Sequence, residues 1–275
     1  MSMFKRFRQI ALLEQTILTI LAFLTLYPLF FMVSSSFKTN DQFITNFWGL
    51  SWPLNLENYI DVFPAVSGFI VNSIIYTVLT VSIVAVLALF TGYAFARFRF
   101  AGKEFLFLAM LALMMLPGVL TLAPLFVQMR DWGWLNTRQG VVLPWVATQL
   151  VFATFIMRIF FEKLPKEVFE AARLDGASEL RLLWSVAIPM ALPGLGTIVI
   201  IDSLFSWNNI IWPLVVVFDR DKLPIAPGMI GFRGDYYTDF GLLFAGYTLA
   251  SLPLIILFIF MIRKFIKGLE GGLSV

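Results

Sequence analysis

Two groups of residues in this sequence have the types and spacing to do chemical work. The first is Glu170, Ala171, Ala172, Asp175 and Gly176, inside the stretch EAARLDGASELRLLWSVAIP. Carboxylates beside a pair of alanines, with a glycine to end the helix, make a surface that another protein can approach closely and hold through polar contacts. The second is Asp202, Trp207, Asn208 and Asn209, polar and aromatic groups set in an otherwise apolar run. Amide and carboxylate groups suit sugar hydroxyls, and an aromatic face can stack on a sugar ring. Neither group suits covalent catalysis. The chain has no His and no Cys, which removes the commonest general base and every thiolate ligand. It has no Gly-x-x-x-x-Gly-Lys loop to cradle phosphates, so it cannot hydrolyse ATP by itself. The expectation is a chain that is not an enzyme and that holds no cofactor or metal. Its net charge of +3 is too small to form a nucleic-acid footprint.

The elements that position these groups are membrane helices. The sequence is 60% hydrophobic and 13% charged, with a mean hydropathy of +0.87 and 30 Phe. Soluble domains carry about a quarter charged residues, so too little polar surface remains to cover a water-facing globule. A crossing needs about 20 apolar residues, and six runs qualify: 12–33, 69–96, 105–128, 141–161, 188–217 and 242–262. Lys5, Arg6 and Arg8 precede the first, but Pro28 and the lack of a small-residue cleavage site mark it as a retained span. Pro117 and Pro124 interrupt the third run, and Pro193 and Pro213 the fifth. Such prolines are either ordinary kinks or the lining of a pathway. Fourteen of the 20 Lys and Arg fall on the side of the termini and of the loop 162–187, which the positive-inside rule makes cytoplasmic. Trp48, Trp52, Trp132 and Trp134 then face the other side. The fold expected is an all-α integral membrane protein, one domain over 1–275, with a cytoplasmic helix-turn-helix loop between spans four and five.

Within that loop Pro165 suits a first helical turn, and Glu167 and Glu170 follow near the positive end of the helix dipole. Gly176 can supply a left-handed turn, and Ser178 can cap a second helix. There Leu180, Leu183, Trp184 and Ala187 would form one apolar stripe. From these residues alone the hairpin is either a tether between spans or a docking surface. Asp202 is either part of a solute path or glue between helices.

The pattern Glu170-Ala171-Ala172, then Gly176, then Val186-Ala187-Ile188-Pro189 resembles the signature of membrane subunits in bacterial ATP-binding-cassette importers. SSSFKT (34–39), LPGVLTLAPLF (116–126), WLNT (134–137), SWNNIIWPL (206–214) and FIKGLEGGLSV at the end resemble the shorter permease of the maltose-type carbohydrate subfamily. The resemblance implies a bacterial inner-membrane permease for a sugar or sugar-like solute, surrounded by lipid. Its implied partners are a second permease, two ATPase subunits that bind ATP and Mg, and an extracytoplasmic solute-binding protein, periplasmic or lipid-anchored. The hairpin becomes a coupling helix seated on an ATPase subunit. The loop 218–240 would enter the cleft of the binding protein, and the tail 267–275 would insert between the ATPase subunits. The rival reading is a secondary transporter or channel working without an ATPase.

Overall fold

Lipid offers no water to hydrogen-bond a backbone, so each apolar run must close its own bonds, and helices do this locally. The computed structural model describes residues 2–232 and 239–272, with side chains over 12–230 and 239–261; its regular structure there is entirely helical. In order the helices are α1 Ser2–Ser36, α2 Asn40–Thr45, α3 Glu57–Arg97, α4 Lys103–Leu113, α5 Gly118–Asp131, α6 Arg138–Glu162, α7 Lys166–Leu174, α8 Glu179–Leu182, α9 Ile188–Met190, α10 Leu192–Asn208, α11 Ile211–Val216, α12 Ile225–Gly228 and α13 Phe240–Gly272. A π-helical turn, Leu183–Ala187, joins α8 to α9. Short 3-10 turns occupy Arg220–Lys222 and Met229–Phe232.

Four helices among the described residues are long and apolar enough to cross a membrane: Leu12–Ser36, Glu57–Arg97, Arg138–Glu162 and Phe240–Met261. The second is longer than the run 69–96, because α3 begins at Glu57. The third and fifth runs are bent pairs. α4 and α5 meet at 95°, and the segment Glu179–Met190 meets α10 at 74°. Pro117 stands at the first break as the cap of α5, whereas Pro124 lies inside α5 without interrupting it. Pro193 falls in the first turn of α10, where a missing N–H is harmless. The fifth run breaks again at Asn209 and Ile210, before α11.

The chain divides into two compact units. In the first, Met1–Ser67 with Gly231–Ser251, a polar knot fixes the segment after α1. Asn58 Nδ2 donates to Ser36 O at 2.8 Å and to Lys38 O at 2.9 Å. The Lys38 ammonium, almost fully buried, donates to the carbonyls of Asn46 and Phe47, and burial lowers its pKa. Phe31, Phe43, Phe47 and Phe244 pack beside it, with Phe43 stacked on Phe240 at 4.6 Å.

The second unit, Gly68–Ile230 with Leu252–Val275, is organised round α6. Thr137 caps this helix, accepting a bond from Gly140 N, and Ala153, Met157 and Phe161 along it are fully buried. A Cβ on Gly92 would stand 2.5 Å from Met157 Cβ, and one on Gly194 would stand 2.6 Å from the Phe160 ring. Only glycine therefore lets α3 and α10 approach α6 this closely. Thr91 and Thr154 hydroxyls bond at 2.7 Å between α3 and α6. At the other end of α6, Asn136 gathers the loop after α11. Its Oδ1 accepts from Phe218 N and Asp219 N, and its Nδ2 donates to Asp219 Oδ2.

Candidate functional site

The hairpin is α7, a turn, and α8 with the π-helical turn behind it. Pro165 is the cap of α7 rather than a first-turn residue, with ψ at 131°, because a proline cap needs extended backbone before the helix starts. The end of α7 closes as a Schellman motif. Ala177 N bonds to Ala172 O, Gly176 N bonds to Arg173 O, and Gly176 holds φ at +80°. Nothing lies within 4 Å of where a Cβ on Gly176 would sit, so the glycine answers backbone strain and not crowding. Ser178 Oγ accepts from Arg181 N and caps α8.

The hairpin is firm beneath and open above. Phe169, Leu182, Leu183 and Ala187 are buried. Glu170, Ala171, Asp175 and Gly176 are exposed, and Ala172 is half-buried. Leu174, at the tip, is 89% exposed. The expected stripe of Leu180, Leu183, Trp184 and Ala187 is half right. Leu183 and Ala187 face the core, but Leu180 and Trp184 are 60% and 53% exposed, and Leu182 takes the inner position. The π-helical turn changes the period, so a 3.6-residue stripe cannot continue through it.

Sequence reading missed what holds the hairpin down. Glu179 accepts from Tyr93 OH and from Arg173 Nε, each at 3.0 Å. This Glu179 bond raises the Arg173 pKa. The Arg97 guanidinium lies 3.9 Å from the centre of the Phe169 ring. These partners come from distant parts of the sequence, and no local pattern pairs them.

The second group is dispersed along α10 and into the break after it. Asp202 is fully buried and accepts from Gln149 Nε2 of α6 at 2.8 Å. Its Oδ2 has no partner among the described residues. Trp207 is buried and lines a cavity of about 270 Å³ with Thr77, Val81, Ser203 and Pro253. Asn208, exposed, donates to Leu204 O in its own helix, and Asn209 Oδ1 accepts from Trp212 N. Of these four residues Trp207 alone lines that cavity. Gln149, the partner of Asp202, was missed by sequence reading.

The loop 218–240 is only partly within view. Its first part is pinned, with Asn72 Nδ2 donating to Asp221 O and Leu223 O, and Tyr76 OH donating to Lys222 O. Residues 233–238, the side chains of the tail 267–275, and those of Lys5, Arg6 and Arg8 lie outside the described residues. Among the described residues no group of His, Cys, Asp and Glu could hold a metal ion.

Residues 85–271 match the family described as binding-protein-dependent transport system inner membrane component. The diacetylchitobiose uptake system permease protein NgcG of Streptomyces coelicolor is 30% identical over 269 residues, covering 96% of this chain and 89% of that one. The arabinooligosaccharides transport system permease protein AraQ of Halalkalibacterium halodurans is 32% identical over 258 residues, covering 92% of each. A solved bacterial ABC transporter involved in the import of the acidic polysaccharide alginate has a similar chain. The TM-score is 0.82 at 25% identity, covering 94% of this chain and 96% of that one.

Proposed function

The chain belongs to the family of binding-protein-dependent transport system inner membrane components, and from that premise we propose that it carries a sugar or sugar-like solute through the membrane in an ATP-driven importer. As a permease subunit it is a transport component and not an enzyme. The carbohydrate class is supported by what the relatives are named for: diacetylchitobiose, arabinooligosaccharides and alginate. Nothing in that membership favours a secondary transporter or channel.

If each bent pair is one crossing, the chain crosses six times. The Lys and Arg distribution then puts both termini and the hairpin in the cytoplasm. The hairpin docks on an ATPase subunit, where Glu170, Ala171, Ala172, Asp175 and Gly176 form the contact. A second permease, a second ATPase subunit and an extracytoplasmic binding protein complete the complex, with ATP and Mg held by the ATPases. Trp207 at the cavity wall, and Asn208 and Asn209 at the break in the helix, serve the solute path. Asp202 holds α10 to α6.

One observation carries the docking reading. The hairpin leaves Leu174 89% exposed beside the turn that Gly176 closes, while its other face is buried. A tether has no need of an exposed apolar tip above a packed base. The test is transport by proteoliposomes holding the assembled complex and binding protein, offered a panel of labelled oligosaccharides. Import should require ATP. Import without ATP, driven by an ion gradient, would restore the secondary-transporter reading.

A further inference from the structure

The last turn of α3 is tied to the hairpin at several points. Tyr93 and Arg97 are one helical turn apart and share a face. Tyr93 OH donates to Glu179 Oε2 at 3.0 Å, and Glu179 is the first residue of α8. Arg97 Nη2 donates to Phe161 O at 2.7 Å and to Leu164 O at 2.9 Å, carbonyls at and just past the end of α6. The same guanidinium stacks on Phe169 of α7. One turn of α3 therefore grips the end of α6, α7 and α8 together. Tyr93 and Phe169 lie beneath the hairpin, at 3% and 1% exposure, away from its docking face.

This contact is directional. A guanidinium that is both forked onto two carbonyls and stacked on a ring holds in only one register. It is also incomplete, since the Arg97 Nε is buried without an acceptor among the described residues. α3 is an unbroken helix from this turn to Thr77 and Val81 at the cavity wall. A push on its end moves those residues relative to Trp207.

We propose that Tyr93 and Arg97 are positioning residues that convert displacement of the hairpin into movement of α3 at the cavity. The inference rests on the hairpin being the ATPase docking site. The test uses the full complex, reconstituted with binding protein and the oligosaccharide that the wild type imports. Tyr93→Phe removes a single hydroxyl. The double variant Tyr93→Phe/Arg97→Gln removes both grips. Two quantities are read: ATPase subunits retained on the permease, and solute moved per ATP hydrolysed. Retention should stay at the wild-type level, while transport per ATP falls about threefold in the single variant and about tenfold in the double variant. An unchanged ratio in both, with subunits retained, overturns the proposal. Loss of ATPase subunits from the double variant, with the Tyr93→Phe ratio unchanged, also overturns it, because the residues then only shape the docking surface. Should the double variant fail to fold, Tyr93→Phe alone decides. Failure of the docking reading is a separate result: Gly176→Val would then keep its ATPase subunits.

Discussion

The hairpin and the polar stretch of α10 contain the same kinds of residue and use them in opposite ways. Glu170 and Asp175 are exposed above a packed base, whereas Asp202 is fully buried and bonded to Gln149. A carboxylate in water is free to meet a partner. One buried in the bundle must find its hydrogen bond inside the chain. Exposure, not residue type, separates a docking surface from helix glue. Disturbing the hairpin should therefore damage assembly and coupling and leave the membrane bundle intact. Disturbing Asp202 should damage the bundle and leave attachment intact.

The largest effect is expected at Gly176. A residue with a Cβ at φ +80° carries about 1–2 kcal/mol of strain, and β-branching adds to it. Gly176→Val should insert normally, lose most of its ATPase subunits on purification, and take up solute at least about tenfold more slowly. Gly176→Ala should be milder, because no neighbour stands within 4 Å of the new methyl group. Full retention and uptake in both variants would make the hairpin a tether.

Next comes Asp202→Ala, which leaves the Gln149 amide buried without its acceptor. That costs about 1–3 kcal/mol of stability, read as a lowered thermal midpoint of the purified permease. Attachment of ATPase subunits, and uptake per assembled complex, should match the wild type. Selective loss of uptake at unchanged stability would move Asp202 into the solute path. Leu174→Ser tests the hairpin from its tip. Truncating an interface anchor costs about 1–2 kcal/mol, so ATPase affinity should weaken roughly tenfold while the permease melts as before. Glu170→Ala removes one rim carboxylate and should weaken attachment only a few-fold.

How far these two regions can be read from the sequence follows from how local their causes are. The turn at Gly176 and the cap at Ser178 depend on neighbours within a few residues, and both are legible. The interruption of the third run at Pro117 is legible too, but its 95° angle is not, because residues 114–116 are as apolar as the helices they separate. Pro124 looks like as strong a breaker as Pro117, yet it lies inside an intact helix. The exposure of Trp184 was hidden by a π-helical turn, Leu183–Ala187, that no propensity pattern marks, and that of Leu180, in α8, by the Leu182 that takes the inner position. Gln149 with Asp202, Tyr93 with Glu179 and Arg97 with Phe169 pair across long separations. The types suggest that partners exist, and only the fold says which.

The smallest effect expected lies outside both regions and serves as their control. Asp219 bonds to Lys222 and to Asn136, which hold its carboxyl below the ordinary carboxylate range. A depressed folded value stabilises above the unfolded pKa of about 3.9, and the benefit fades as pH falls through the folded value. The thermal midpoint of the wild type should therefore slightly exceed that of Asp219→Asn near pH 6, and the gap should shrink as the pH falls below about 3.9. A gap that widens on acidification would reverse the assignment. The variant should not alter ATPase attachment.

The central claim, that the hairpin tip docks on an ATPase subunit, is tested most directly by a photo-crosslinking residue placed at Leu174 in the assembled complex. The expected product joins the permease to an ATPase subunit, and its yield should change when ATP is added. An assembled, transport-competent complex that gives no ATPase crosslink from that position would contradict the claim.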